Sequence, residues 1–285
     1  MNPLTLNSDA PIDLHMHTTH SDGHWKPEEL FQHLAEKRFA LVSVTDHDHI
    51  DHIEEMQALG QQAGIPVLAG VEITTIWNGK MGHMLAYDFD PHHAALTALL
   101  KKTLDLQLEN TRNVYQELRQ KGREFPRQAE VLAAQGGDLV LPVDNARLLH
   151  AHGYASSFQE AIRQITDAGF RSIMADMGEA VAAVHDAGGV ALIAHPGRRE
   201  TGFTLYDTAL LDAVSAEIPL DGIEVVHPSH SAEQIAEYDR YVARRGWLKS
   251  TGSDSHGPRH RYPITHPAKL SSALLQRCGI SVQAG

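Results

Sequence analysis

Residues 11–23 read PIDLHMHTTHSDG and place three histidines and two aspartates at the end of a short apolar run. The pattern of Ile12–His17 predicts a β-strand, on which side chains two residues apart face the same side. His15 and His17 can therefore present two imidazoles to one ion, while Met16 faces the packed interior. One such pair is weak evidence of a site, so the question is whether other strands end in the same chemistry.

Histidine is the outlier in the composition, because the 285 residues include 20 histidines that are scattered rather than gathered in one run. The net charge of −12 argues against a broad nucleic-acid surface, and no stable nucleic-acid complex is expected. A small anionic partner remains compatible, because bound metal ions can reverse the local charge. No apolar run is long enough for a membrane span, and the single cysteine, Cys278, favours a cytoplasmic protein.

Short apolar and β-branched runs alternate with helical patterns along most of the chain. The predicted strands are Ile12–His17, Ala40–Thr45, Val67–Ile73, Gly82–Phe89, Val190–Ala194, Gly222–Val226 and Leu248–Gly252. Strands joined by helical segments indicate parallel β/α units and a barrel-like α/β fold. The alternation of strand and helix patterns is interrupted from Ala94 to about Phe170. There the pattern is helical throughout and predicts a helical insertion that could cover a site.

Side chains of the metal-ligand type end or follow the predicted strands. In a parallel β/α barrel the carboxyl ends of the strands converge on one face, so these residues would meet at one mouth. Imidazoles and carboxylates without cysteine suit Mn²⁺, Zn²⁺ or Fe²⁺. The set exceeds what one ion needs, so two or three ions are expected, and Glu72 could bridge a pair. The predicted ligands are His15, His17, Asp22, His47, Glu72, His83, His195, Asp254 and His256.

Six motifs occur in the order typical of one family: DLHMHTTHSDG, VTDHD, GVEIT, GHMLAY, AHPGR and GSDSHG. On these motifs the sequence resembles the PHP (polymerase and histidinol phosphatase) family of the amidohydrolase superfamily. The resemblance implies a distorted (β/α)7 barrel with a trinuclear metal centre, often of manganese. It implies a catalytic barrel of residues 11–93 and 173–275, with a helical insertion domain, residues 94–172, between strands four and five.

The resemblance also implies how the ligands divide among three ions. The implied sets are His15, His17, Glu72 and Asp254 for one ion, Glu72, His83 and His195 for the second, and Asp22, His47 and His256 for the third. Three Mn²⁺ ions are therefore the expected cofactor, with Zn²⁺, Fe²⁺ or Mg²⁺ as alternatives.

The insertion and the run HPSHS, residues 227–231, narrow the resemblance to one branch of stand-alone PHP enzymes. That branch hydrolyses 3′,5′-nucleoside bisphosphates and, in some members, the 5′ ends of short RNA. Its members often carry a Thr-Arg-Pro-His run in the insertion, where this chain has PVDNARLLH, residues 142–150. Arg147 is the candidate to replace the substrate contact of that run.

The chemistry implied is in-line attack on the 3′-phosphate by a hydroxide that bridges two divalent ions. Arg198, three residues after His195, could bind a phosphate in bidentate fashion or form an ordinary surface salt bridge. His230 is the first candidate for the acid that protonates the leaving oxygen, with His227 and His49 as alternatives.

Other polar and aromatic residues near the predicted strand ends suggest secondary roles. Trp77, on the loop after strand three, could stack on a nucleobase or simply pack the loop, and Lys80 beside it could contact the substrate. Three aspartates, Asp13, Asp46 and Asp48, could each accept the free N–H of a ligating imidazole and so fix its tautomer.

Several functions remain open at this point. The favoured one is a phosphatase that converts a nucleoside 3′,5′-bisphosphate, such as adenosine 3′,5′-bisphosphate, to the 5′-monophosphate. A 5′-3′ exonuclease on short RNA would use the same chemistry. A histidinol-phosphate phosphatase is a further alternative and is less favoured, because the resemblance implies that this branch of the family lacks the insertion. A non-catalytic metal-binding module of a polymerase would normally belong to a longer chain and have an eroded ligand set.

Remaining histidines, such as His24, are interpreted as surface or packing residues.

Overall fold

The computed structural model describes residues 4–133, 136–141, 143–199 and 202–283. Pro142, the first residue of PVDNARLLH, lies outside the described residues. The described strands are β1 Thr5–Asn7, β2 Pro11–Asp13, β3 Leu41–Val42, β4 Gly70–Trp77, β5 Lys80–Tyr87, β6 Ala175–Asp176, β7 Val190–Ile193, β8 Gly222–Val226, β9 Leu248–Thr251, β10 His266–Pro267 and β11 Ser281–Gln283. The described α-helices are α1 Pro27–Glu36, α2 Ile53–Ala63, α3 Ala94–Gln120, α4 Gln128–Val131, α5 Asp144–Ala151, α6 Phe158–Asp167, α7 Met177–Asp186, α8 Thr208–Ser215, α9 Ala232–Arg245 and α10 Ser272–Arg277.

The chain divides into two compact units, one of residues 1–99 with 175–285 and the other of residues 100–174. After β1, the larger unit contains a β/α/β arrangement in which α1 connects the parallel strands β2 and β3. Pro27 begins α1, where a missing backbone N–H leaves no hydrogen bond unmade. Met16 is fully buried in the apolar cluster that α1 covers, as the alternation of the first strand predicts.

Strands β4 and β5 form an antiparallel hairpin, so the prediction of parallel β/α units was wrong for this pair. Asn78 and Gly79 make its two-residue turn, with positive φ angles of 48° and 74°. Asn-Gly is the typical sequence of such a turn, because both positions must adopt left-handed backbone conformations. The hairpin places Glu72 of β4 close to His83 of β5, whose ring lies 3.0 Å from the carboxylate.

The central sheet orders its strands β6-β4-β5-β7-β8-β9. Its β5 pairs antiparallel with β7, so the prediction of parallel units was wrong for this pair too, whereas β7, β8 and β9 are parallel neighbours. A three-stranded sheet, β10-β2-β3, approaches it through isolated parallel bridges at both ends. One bridge joins Met16 to Ser255, just after β9, and the other joins His47 to Glu72 in β4. These observations confirm an α/β fold rich in parallel pairs, while closure into a seven-stranded barrel stays a prediction.

The smaller unit is helical and has an apolar core of its own. Its fully buried side chains include Leu148 and Ile165, from α5 and α6. No strand occurs among the described residues between 100 and 174, as the sequence pattern predicts. Its role as an insertion that covers the site stays a prediction. None of the described helices, including the 27-residue α3, has the length and apolarity needed to cross a membrane.

Candidate metal centre

The structure brings the nine predicted ligands together in the larger unit. Glu72 and His83 lie within the hairpin strands β4 and β5, and the other seven lie on the segments that follow β2, β3, β7 and β9. Within each of three groups, the ligand atoms lie no more than 4.8 Å apart. The groups are His15, His17, Glu72 and Asp254; His17, Asp22, His47 and His256; and His47, Glu72 and His83. His195 joins them through its Nε2, which lies 3.0 Å from Glu72 Oε1.

Glu72 lies at the centre of this cluster and is 1% exposed. Its Oε2 lies 3.0, 3.1 and 3.5 Å from the Nε2 atoms of His15, His17 and His47 respectively. Its Oε1 lies 3.0 Å from both His83 Nδ1 and His195 Nε2. One carboxylate thus contacts five imidazoles from four segments of sequence, an arrangement suited to a ligand shared between ions.

Asp254 divides its two oxygens between two sets of partners. Its Oδ1 lies 3.3 Å from His17 Nε2 and 3.3 Å from His256 Nδ1, inside the cluster. Its Oδ2 faces His227 Nε2 at 3.5 Å and Arg198 Nη1 at 3.7 Å. The backbone of Asp254 has a positive φ of 52°, and strained conformations of this kind concentrate at functional sites.

The donor set fits divalent cations. The Nε2 atoms of His15 and His17 lie 3.2 Å apart, a separation that two imidazole nitrogens tolerate only with a shared proton or a cation beside them. The Nδ1 atoms of His17 and His47 are buried without a hydrogen-bond partner. Imidazole nitrogens and carboxylate oxygens are the ligands that Mn²⁺, Zn²⁺ and Fe²⁺ accept. The residues present are therefore those of a divalent metal centre.

Protonation distinguishes two kinds of imidazole in the cluster. Burial lowers the pKa of His47 and of His195 to about 4, so both rings are neutral at pH 7, as metal ligands must be. Burial also acts to lower the pKa of His17, but hydrogen bonds to Asp254 and Glu72 outweigh it and raise that pKa to about 10. A cation that binds His17 must replace this proton, so metal binding should release protons.

A cavity of about 340 Å³ opens over the cluster. This volume lies at the lower end of the range for small-molecule sites, roughly 300–1,000 Å³. His24, assigned from the sequence to the surface or to packing, lines the cavity, as do His260 and Phe203. The full lining is Asp22, His24, His47, Glu72, His83, Arg198, Phe203, Asp254, His256 and His260.

A comparison with protein families decides what kind of protein carries this cluster. The sequence model of the PHP domain family matches residues 13–172, more than half of the chain. The chain belongs to the PHP domain family. The match begins two residues before His15 and includes Glu72 and His83 at the centre of the cluster, so the resemblance inferred from the six motifs is confirmed.

Known proteins resemble this PHP chain over most of their length. A 3′,5′-nucleoside bisphosphate phosphatase of Chromobacterium violaceum is 32% identical over 253 residues, which cover 87% of this chain and 88% of the relative. A 5′-3′ exoribonuclease of Haemophilus influenzae is 29% identical over 250 residues, 86% of this chain and 90% of the relative. A solved structure from Bifidobacterium adolescentis, described as a metal-dependent phosphoesterase, matches with a TM-score of 0.76 and 27% identity, covering 97% of this chain and 98% of that one.

The positively charged guanidinium group of Arg198 lies beside the cluster of this PHP chain. The carbon at the centre of its guanidinium group lies 3.8 Å from the ring centre of Phe203. The edges of that ring meet His83 and His195, with ring centres 5.3 and 5.7 Å apart. Phe203 therefore links the arginine to two predicted ligands. Sequence reasoning missed Phe203 because it lies in a loop without periodic pattern. The phosphate-binding role of Arg198 stays a prediction.

His230, the first candidate for the leaving-group acid, has both ring nitrogens engaged by the backbone. Its Nδ1 donates to Val225 O at 2.9 Å, and its Nε2 accepts from the N–H of Gly197 at 3.0 Å. These contacts are typical of a histidine that holds two loops together. The alternative His227 has its Nε2 near Asp254, and His49 lies 3.7 Å from Asp51. The acid role of His230 stays a prediction that its contacts do not favour.

Three predicted substrate contacts are not among the residues that line the cavity. Trp77 and Lys80 pair across the tip of the β4–β5 hairpin, and the Trp77 indole N–H donates to Glu217 at 2.9 Å. Arg147 belongs to α5 of the helical unit, where it forms an ion pair with Asp144 at 3.1 Å. The roles of all three in substrate binding stay predictions.

The aspartates next to the predicted ligands have a different role from the predicted one. Asp13 and Asp48 accept hydrogen bonds from backbone N–H groups. Asp46 accepts from two hydroxyl groups and contacts His52, which is not a predicted ligand. Among the hydrogen bonds of the described residues, none joins these carboxylates to the ring of a predicted ligand. The prediction that they fix ligand tautomers was therefore wrong.

Glu224 of β8 lies outside the predicted set and contacts the ring of a predicted ligand. It is fully buried, and its Oε1 lies 3.1 Å from His15 Nδ1. Burial acts to raise the pKa of Glu224, but His15 and His227 outweigh it and lower that pKa to about 2, so the group is ionised. Sequence reasoning missed Glu224 because it lies inside a predicted strand rather than at its end. A charged residue in an otherwise apolar strand, GIEVV, was the available signal.

Proposed function

We propose that this chain is a metal-dependent phosphoesterase that removes the 3′-phosphate from nucleoside 3′,5′-bisphosphates and leaves the 5′-monophosphate. The observation that carries the proposal is the cluster of imidazoles and carboxylates around Glu72, which lines a cavity sized for a small molecule. Membership of the PHP family supports phosphoester chemistry, and the similarity to a bisphosphate phosphatase supports the substrate.

The nine clustered ligands would hold the metal, and we propose three Mn²⁺ ions, with Zn²⁺, Fe²⁺ or Mg²⁺ as alternatives. Divalent ions supply Lewis acidity, which neutralises phosphoryl charge and lowers the pKa of water towards neutrality. The protein holds the ligand side chains in position. Glu72 and Asp254 each face imidazoles of more than one set, so the sets are held at short, fixed separations.

Arg198 is the group of this chain placed to bind a substrate phosphate. It lines the cavity beside Asp254, and the face of Phe203 supports its guanidinium group. A guanidinium group can donate two parallel hydrogen bonds to a phosphate. The substrate would therefore lie with one phosphate over the ligand cluster and with an anionic group against Arg198.

The wider assignments made from the sequence complete the proposal. Residues 11–93 and 173–275 would form the catalytic (β/α)7 barrel, and residues 94–172 the insertion that covers its mouth. Arg147, Trp77 and Lys80 would contact the nucleotide. The partner would be a small anionic nucleotide rather than a stably bound nucleic acid, and the protein would be cytoplasmic.

A second candidate is a 5′-3′ exoribonuclease that acts on short RNA. The observation in its favour is the similarity to the exoribonuclease of Haemophilus influenzae, which extends over 86% of this chain. The two candidates share the metal centre and differ in the length of substrate that the cavity admits.

The test is phosphate release, or nucleotide release for RNA, from a panel of substrates in the presence of Mn²⁺. The panel contains 3′,5′-bisphosphates, 5′-monophosphates, histidinol phosphate and 5′-phosphorylated short RNA. We expect the bisphosphates to have the highest kcat/KM. A higher value for the short RNA would replace the first candidate with the second, and equal values across the panel would overturn both.

A matched pair of histidine variants tests whether the cluster carries the activity. His83 contacts Glu72 in the cluster, whereas His185 of α7 contacts Asp221 elsewhere, at 2.7 Å. We expect His83→Asn to lower kcat/KM by more than about 100-fold, since losing even an outer partner of a metal ligand costs about 10–100-fold. The His185→Asn variant should retain the activity. Equal activities of the two variants would place the reaction elsewhere.

A further inference from the structure

Glu224 connects two predicted ligands that come from different strands. Its Oε1 lies 3.1 Å from His15 Nδ1, and its Oε2 accepts the backbone N–H of His195 at 2.8 Å. Both contacts are buried, because His15 and Glu224 are 0% exposed and His195 is 3% exposed. The two oxygens of one carboxylate are therefore each committed to a different neighbour.

These contacts decide which nitrogen of His15 carries a proton. An ionised carboxylate only accepts hydrogen bonds, so the Nδ1 atom that faces Glu224 must be the donor. A neutral imidazole has one N–H, which leaves Nε2 with a free lone pair. That Nε2 lies 3.0 Å from Glu72 and 3.2 Å from His17 Nε2, inside the ligand cluster.

We propose that Glu224 is a positioning residue that holds His15 in the tautomer with its proton on Nδ1 and so presents Nε2 to a divalent ion. Through its second oxygen it also fixes the backbone at His195, which has a strained positive φ of 28°. The inference rests on the metal centre of the proposed function and not on its substrate.

A single substitution separates this role from packing. In Glu224→Gln the side chain keeps its size but has one acceptor and one donor. The backbone N–H of His195 can only donate, so the amide oxygen must face it and the NH₂ group must face His15 Nδ1. That nitrogen must then accept, which moves the ring proton to Nε2 and blocks the lone pair that a metal needs.

Asp221 provides a matched control at the other end of the same strands. Its Oδ2 accepts the backbone N–H of Ala191 at 2.8 Å and contacts His185 Nε2 at 2.7 Å. Like Glu224, it connects one backbone N–H and one imidazole, but it does not contact the cluster. The Asp221→Asn variant therefore reproduces the structural cost of losing a carboxylate without touching the ligands.

The experiment is Mn²⁺ titration of the metal-stripped proteins, followed by electron paramagnetic resonance of the free ion, with no substrate present. We expect Glu224→Gln to weaken Mn²⁺ binding by about 10–100-fold, the usual effect of losing an outer partner of a ligand. The Asp221→Asn variant should bind as the wild type does. Wild-type affinity in Glu224→Gln, or an equal loss in both variants, would overturn the proposal.

The wild-type protein supplies a second measurement, which decides the question if Glu224→Gln does not fold. Long-range ¹H–¹⁵N correlation spectra of the Zn²⁺-loaded protein report which nitrogen of each histidine carries the proton. We expect His15 to be protonated at Nδ1, and a proton on Nε2 would overturn the proposal. Because neither measurement uses a substrate, a failure of the proposed phosphatase activity leaves both results interpretable.

Discussion

Hydrogen-bond partners decide what each histidine near the cavity can do. The ring of His195 is buried and that of His47 is partly buried; both are neutral, with nitrogens that face Glu72, so they are available as ligands. His15 is oriented by a carboxylate on each side. His230 has no free nitrogen, because the backbone occupies both. Residue type alone does not distinguish these roles of histidine, whereas the hydrogen-bond partners do.

The contacts of His230 predict a structural effect when it is replaced. We expect His230→Asn to lower the free energy of unfolding by about 1–3 kcal/mol, because it leaves buried backbone groups without partners. Rates with good and poor leaving groups should fall by the same factor, as measured with phosphoesters of graded leaving-group pKa. A loss confined to poor leaving groups would instead identify His230 as the acid.

The stacking of Arg198 on Phe203 predicts an effect on substrate binding. A cation–π contact contributes about 0.5–2 kcal/mol, so Phe203→Leu should raise KM for a bisphosphate by about 2- to 30-fold, with a smaller change in kcat. Steady-state kinetics with the preferred bisphosphate measure both constants. The control is Phe39→Leu in the core, which should lower stability only. An unchanged KM in Phe203→Leu would exclude this role of the ring.

Among the strands, β9 approaches β2 very closely, and a glycine makes this approach feasible. A Cβ atom on Gly252, just after β9, would lie 2.2 Å from His15 Cβ and 2.8 Å from Glu224 Oε1. The segment that leads from β9 to Asp254 therefore lies against the segment after β2 that carries the H-x-H pair. The site depends on this spacing between elements as much as on the ligands themselves.

Gly252→Ala is expected to lower both stability and metal affinity. Inserting a methyl group at a closely packed position costs about 1–3 kcal/mol and displaces the neighbouring groups, here His15 and Glu224. Urea unfolding and Mn²⁺ titration measure the two effects.

The matched control for this variant is Gly246→Ala at the end of α9. Gly246 has a φ of 68° and open space around it, so the substitution strains the backbone by about 1 kcal/mol without touching the site. Its Mn²⁺ affinity should equal that of the wild type. A wild-type affinity in Gly252→Ala would show that this spacing does not matter for the metal.

The hairpin shows how far elements could be predicted from the sequence. The two strands were predicted, but as parallel units, although Asn78 and Gly79 carry the local signal for a tight turn. The predicted first strand, Ile12–His17, is longer than β2, because regular strand pairing ends at Asp13 and gives way to an isolated bridge and single backbone hydrogen bonds. Local patterns indicate which segments are extended, whereas pairing partners depend on distant segments.

Considered as a whole, the larger unit buries Glu72, Glu224 and Asp254 close together in its interior. Charges buried this way are costly unless they are paired, and imidazoles surround them here. Divalent cations in the cluster would add positive charge between the carboxylates. The same ligands that bind the metal would then connect the ends of the strands, so metal binding and folding should be coupled.

Metal removal is therefore expected to destabilise the molecule. A ligand present at about 100 times its Kd stabilises the folded state by about 2.7 kcal/mol per site. Unfolding of the chelator-treated protein, with and without added Mn²⁺, measures this shift. The Glu72→Gln variant is the control and should show a much smaller response to Mn²⁺. Superimposable wild-type curves would contradict the coupling.

The sequence by itself determined the chemistry and the class of the fold. Apolar alternation predicts the strands, and the polar residues at or after their ends predict that the ligands meet, because parallel strands end on the same side, although His83 reaches the cluster from the antiparallel strand β5 instead. These inferences need only local periodicity and residue type. They hold wherever a motif, such as the H-x-H pair, lies within a few residues of the strand that positions it.

Only the tertiary structure decided the partners of those ligands. Glu224 lies 209 residues from His15, and no local pattern connects them. Phe203 beside Arg198 likewise belongs to a loop whose path depends on packing. The three aspartates that lie next to predicted ligands in the sequence accept hydrogen bonds from other groups. The physical reason is that a buried carboxylate bonds to the donors that folding places beside it, and distance along the chain does not reveal which donors these are.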